Sequence, residues 1–117
     1  MTLFVADSSG LECIYRLSRK HHRGYCKIPL AKYSRIHVTS ETMIVSKISK
    51  KFIRKHVTVH KVPTVKIIKL MSILKVDYEV ASAMMLAKRL NAIFLTANKD
   101  TYIKAVESGL KAFLVTI

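Results

Sequence analysis

"AIFLTANKD", residues 92–100, reads as a strand that runs into a polar tip. Ala92 to Leu95 are all apolar, and Thr96, Asn98 and Asp100 then bring three oxygen-bearing side chains within five positions. A strand apolar on both faces belongs in a parallel sheet covered by helices on either side. That requires strand and helix to alternate along the chain.

They do. "LFVA", 3–6, is a short buried strand ending at Asp7. Ser8 or Ser9 can cap a helix over about 10–23, with Glu12 in its first turn, Arg19 to Arg23 in its last and Gly24 beyond. "RIHVTS", 35–40, feeds a helix over about 41–55 with Ile44, Val45, Ile48 and Phe52 as its apolar face. "HVTVHKV", 56–62, alternates as a strand and stops at Pro63. Helices over about 64–74 and 77–91 follow, the second capped by Asp77 and ended by Asn91. After the quoted strand come a helix over 99–109, closed by Gly109, and a last strand, "KAFLVTI". The expectation is one three-layer α/β (Rossmannoid) domain over 1–117, with a mostly parallel central sheet and helices on both faces. Ligands approach such sheets at the carboxyl ends of the strands, where Asp7, Ser40, Glu41 and Thr96 to Asp100 all fall.

Composition narrows the function classes. The longest apolar run, "VASAMMLA", 80–87, is far short of the roughly 20 residues that span a bilayer. "MTLFVADSSG" has no basic n-region, which argues against a signal peptide and for a cytosolic protein. Cys13, His21, His22 and Cys26 are four zinc-ligand types without zinc-site spacing, so free thiols are expected. His56 and His60 are expected as strand surface, and Met43, Met71, Met84 and Met85 as core filler. Only two Asn and no Gln lean toward a thermophilic source. No Gly-rich phosphate loop and no Ser–His or Cys–His nucleophile signature occurs.

Charge carries the functional expectation. The chain has 21 Lys and Arg against 7 Asp and Glu, a net +14. Residues 16–61 alone hold 13 of the bases and one acid, Glu41. Arg16, Arg19, Lys20 and Arg23 recur at helical spacing, as do Lys47, Lys50, Lys51, Arg54 and Lys55. Lys27, Lys32 and Arg35 lie between, interleaved with Tyr25 and Tyr33. Such stripes match a phosphate backbone, and rings among them can stack on unpaired bases. RNA is the expected partner, within a ribosome or another ribonucleoprotein; an acidic protein is the competing one.

The few acids suggest a second chemistry. Asp7, Glu41, Asp77 and Asp100 could converge at the strand ends, where clustered carboxylates would need a cation. "FVADSSG", 4–10, and "SAMMLAKRLNAIFLTANKD", 82–100, resemble the two ends of PIN domains, and the order of elements fits across nearly the whole chain. The resemblance implies a metal-dependent ribonuclease fold whose acids bind Mg²⁺ or Mn²⁺, in some members with an antitoxin-like partner. On it, Asp7 matches the first family acid, and Asn98 and Asp100 fall at the last motif as metal ligands. Asp77 and Glu41 each sit about one helical turn early, since the pattern places those acids near Val80 and near Val45 or Ser46. A turn shifts a carboxylate by about 5 Å, which ligation does not tolerate. The resemblance therefore implies either an active endoribonuclease using Asp7, Asp77, Asp100 and Glu41, or a stable RNA-binding relative with a degenerate acidic site.

Overall fold

The computed structural model describes residues 2–20 and 35–115, with backbone alone at 18–20. Five strands, β1 (Phe4–Ala6), β2 (Ile36–Thr39), β3 (Val57–His60), β4 (Ile93–Thr96) and β5 (Ala112–Leu114), form one sheet in the order β3-β2-β1-β4-β5. All four pairings are parallel. The α/β expectation holds, and the sheet is parallel throughout its described length.

Side-chain alternation along the strands feeds two cores. Phe4, Ala6, Ile36, Val38 and Leu95 meet Leu11, Ile14 and Leu17 of α1 (Ser8–Lys20) on one face. Val5 and Phe94 meet α4 (Thr64–Leu74) and the Ala-rich α5 (Tyr78–Leu90) on the other, with Ala105 of α6 (Lys99–Glu107). Small residues at 81, 83 and 87 are fully buried, which lets α5 lie close against the sheet. Asp77 caps α5 as expected, accepting from the Val80 N–H at 2.8 Å. Asn91 ends it in the left-handed region at φ 51°.

Residues 41–55 depart from expectation. Two short helices, α2 (Ser40–Val45) and α3 (Lys50–His56), replace the continuous one. Ser46 closes α2 by bonding back to the Thr42 carbonyl through both N–H and Oγ, and Ser49 caps α3. Two serines that satisfy helix ends locally make the break. Ile44 is therefore 83 % exposed and Val45 51 %, so neither is core. Thr39 caps α2 and Asn98 caps α6. His56 ends α3 and is not on the strand.

Candidate functional site

The strand order reverses direction of travel at β1, whose neighbours β2 and β4 leave on opposite sides. A parallel sheet opens a crevice at the carboxyl ends of such strands. Asp7 follows β1 directly there, and its backbone N–H donates to the Leu95 carbonyl of β4 at 3.2 Å. Its carboxylate, 1 % exposed, is enclosed by its own chain. Oδ1 accepts from the Gly10 N–H and the Ser9 hydroxyl, both at 2.8 Å, and Oδ2 accepts from the Thr96 hydroxyl at 2.8 Å. Asp7 is thus an N-cap for α1 as well as the floor of the crevice.

The second acid here is Glu79, in the first turn of α5. Its carboxylate accepts from the Ser8 N–H at 3.1 and 3.2 Å, from the Ser8 hydroxyl, and from the Thr42 hydroxyl at 2.8 Å. The family pattern points near Val80 and the sequence offers Asp77 one turn before it, yet the acid at the crevice is Glu79, adjacent to Val80. The signal lay in the cap: a carboxylate that closes its own helix is spent on it, so the next acid in the turn is free to face the sheet. Burial raises the pKa of both Asp7 and Glu79 against the pull of their hydrogen bonds. Each is raised further by a neighbouring acid, Asp77 for Asp7 and Asp7 for Glu79.

The other expected acids do not join them. Asp77 is exposed and committed to its cap. Asn98 accepts from the Thr101 N–H at 3.1 Å, and Asp100 is exposed in the first turn of α6. Glu41 is half-buried, with Oε1 3.4 Å from the Ser40 hydroxyl and Oε2 buried without a partner. The resemblance implies Mg²⁺ or Mn²⁺, which needs several unshared oxygens at about 2.0–2.6 Å. Every oxygen of Asp7 and Glu79 already accepts from a hydroxyl or an N–H. No group of three or more His, Cys, Asp or Glu able to hold an ion occurs among the described residues. The donor set does not fit the ion.

The cations lie outside. On α3, Lys50, Lys51, Arg54 and Lys55 are exposed on one side, while Phe52 and Ile53 turn to the core. Lys47, in the break before α3, is exposed, and so is Arg16 on α1. Glu12, the acid nearest in sequence to Arg16, accepts from the Lys47 backbone N–H at 3.0 Å. Arg35 is structural. Its guanidinium donates to the carbonyls of Arg54, Lys55 and Val57 and to the Thr58 hydroxyl, locking α3 to β3. Arg19 and Lys20 are described by backbone alone; Arg23, Tyr25, Lys27, Lys32 and Tyr33, with His21, His22 and Cys26, lie outside the described residues. Cys13 is a buried free thiol.

A histidine pair also escaped the sequence. Parallel pairing of β2 and β3 brings His37 Nδ1 to 2.8 Å from His60 Nε2. Only one of these nitrogens carries a proton in that contact. Burial lowers both pKa values, as do His60 and Arg35 for His37 and Arg89 for His60. A lowered folded-state value means that the fold favours the neutral ring. That stabilisation is fully present above about pH 6.5 and is lost as pH falls through the folded values. Thermal unfolding should therefore show Tm dropping by a few degrees from pH 7 to 5.5, and His60→Asn should flatten that dependence.

No family model matches the sequence, and no curated protein matches it. Among solved structures it is similar to PAE2754 from Pyrobaculum aerophilum, at 13% identity and a TM-score of 0.62 over 95% of this chain and 89% of that one. It is also similar to a domain of a functionally unknown protein from Methanocaldococcus jannaschii, at 17% identity and a TM-score of 0.57 over 99% and 93%. At these identities the likeness shows the fold alone. No helix among the described residues is long and apolar enough to cross a membrane.

Proposed function

We propose that this chain is a cytoplasmic RNA-binding protein of PIN-like architecture, a stable occupant of the ribosome or another ribonucleoprotein, that grips RNA phosphates through α1 and α3. One observation supports this above others: the two acids that meet at the crevice are turned inward, while the described cations of α1, of the break before α3 and of α3 are turned outward. Asp7 and Glu79 are enclosed by hydroxyls and N–H groups, whereas Arg16, Lys47, Lys50, Lys51, Arg54 and Lys55 are all exposed. The chain as a whole carries a net +14. A compact body with such a surface repels itself, and a polyanion relieves the repulsion. Contact with about eight phosphates gives log affinity falling against log salt with a slope near −6. A slope near zero with structured RNA would end the proposal.

An alternative is a Mg²⁺- or Mn²⁺-dependent endoribonuclease. It has one observation in its favour, the adjacency of Asp7 and Glu79 at the crevice, where each hydroxyl would first have to give way. Incubating the protein with structured RNA and either ion separates the two. The occupant leaves the RNA intact; a nuclease cleaves it, and Asp7→Asn stops the cleavage without weakening binding.

A further inference from the structure

The start of α4 and the end of α5 flank a half-open pocket that the carboxylates do not use. Val62, Pro63 and Met85 give it an apolar wall, Lys66, Lys88 and Arg89 give it three cations, and its volume is about 250 Å³. That lies just below the roughly 300–1,000 Å³ of small-molecule sites, so it suits a ligand no larger than a mononucleotide, part of which stays in solvent. Lys88 and Arg89 follow Glu79 by about 14 Å along the helix, which separates the pocket from the crevice. It also involves none of the cations on α1 and α3.

Its two halves ask for different chemistry. Val62 is 7 % exposed and fixed in the core, and Met85 offers a polarizable thioether beside it, so this wall accepts a flat apolar face. Arg89 is oriented by its own backbone contact, Nη1 donating to the Lys61 carbonyl at 3.3 Å. The rest of its planar fork can meet a phosphate, the anion that a guanidinium binds in two-pronged fashion. No carboxylate lines the pocket to offset the three cations. Phosphate alone would leave the apolar wall wet, and a hydrocarbon would leave the cations unmatched. A nucleotide satisfies both.

We propose that this pocket binds a single nucleotide, its base against Val62, Pro63 and Met85 and its phosphate on Lys66, Lys88 and Arg89. The inference does not rest on binding of structured RNA, because a free mononucleotide suffices to occupy the site. The test is calorimetric titration of the full chain at low salt with AMP, adenosine, inorganic phosphate and an acidic tripeptide. AMP should bind at least ~10-fold more tightly than each of the other three, a difference that only combined recognition gives. The Lys88→Gln, Arg89→Gln double variant should lose at least ~10-fold in AMP affinity. Lys88→Gln alone, which leaves the Arg89 bond to Lys61 in place, should lose part of it. Changing Lys50, Lys51, Arg54 and Lys55 to Gln should leave AMP affinity within about two-fold, since none of them lines the pocket. Equal affinity for AMP and phosphate would reduce the pocket to a bare electrostatic patch and overturn the assignment. So would tighter binding of the tripeptide, or AMP affinity indifferent to both pocket variants.

Discussion

Exchanging Lys50, Lys51, Arg54 and Lys55 together for Gln should weaken binding of structured RNA by about 10²- to 10³-fold at physiological salt. Each phosphate that the protein no longer neutralises takes about 0.7 of a unit from the salt slope, so the slope should shrink from near −6 to near −3. The four side chains are exposed and spaced on one side of α3, while its packing is carried by Phe52 and Ile53 on the other. The variant should accordingly fold as the parent does. A control set of Lys69, Lys99 and Lys111, which lie on α4, α6 and just before β5, should change affinity by no more than about three-fold when converted to Gln. Electrophoretic titration over a range of salt reads both numbers. If the control set weakens binding as much as the α3 set, RNA does not choose this face.

Gly10→Ala should be the most damaging small substitution in the described chain. A Cβ on Gly10 would sit 2.3 Å from the Leu95 carbonyl oxygen, 2.8 Å from its carbon and 3.1 Å from Thr96 Cα. All three are backbone atoms of β4 and its end, so no side chain can swing aside. Helix α1 must lift off the sheet. In lifting it strains the bonds of Asp7 to Thr96 and of Ser9 to the Ala97 N–H. A loss of about 4 kcal/mol is expected, with Tm falling by roughly 10 °C or more, out of the 5–15 kcal/mol that domains of this kind possess. Gly109→Ala is the contrast. Its Cβ meets nothing within 4 Å, and only the positive φ of 92° resists it, at about 1 kcal/mol. Comparable losses at the two glycines would mean that α1 and β4 can part without cost.

What the sequence disclosed was what is local. The strand–helix alternation, the Asp77 cap, the Asn91 exit and the position of Asp7 all follow from neighbours within a few residues, and all are observed. What it withheld depends on partners far along the chain. Glu79 finds Ser8 across 71 residues, and His37 finds His60 through a strand register that no short window encodes. The break between α2 and α3 is an intermediate case. "SKIS", 46–49, contains neither Gly nor Pro, and its spacing continued the helix that Ile44 and Phe52 suggested. Its two serines were nonetheless end-of-helix residues, and reading them that way would have released Ile44 and Val45 from the core. The cations were legible as a surface. Arg35 could be separated from them only by its bonds to the carbonyls of Arg54, Lys55 and Val57 and to the Thr58 hydroxyl.

The central strand is also the earliest one made. During synthesis β1 leaves the ribosome before the other four strands, yet one of its two edges stays open until β4 has emerged, nearly ninety residues later. Until then Asp7 lacks Thr96, and the nascent chain displays its basic first half without a finished sheet beneath it. Parallel pairings that reach so far along a chain close slowly. Truncations ending before residue 96 should therefore yield no folded fragment, and the newborn chain has a long interval in which a chaperone can reach it first.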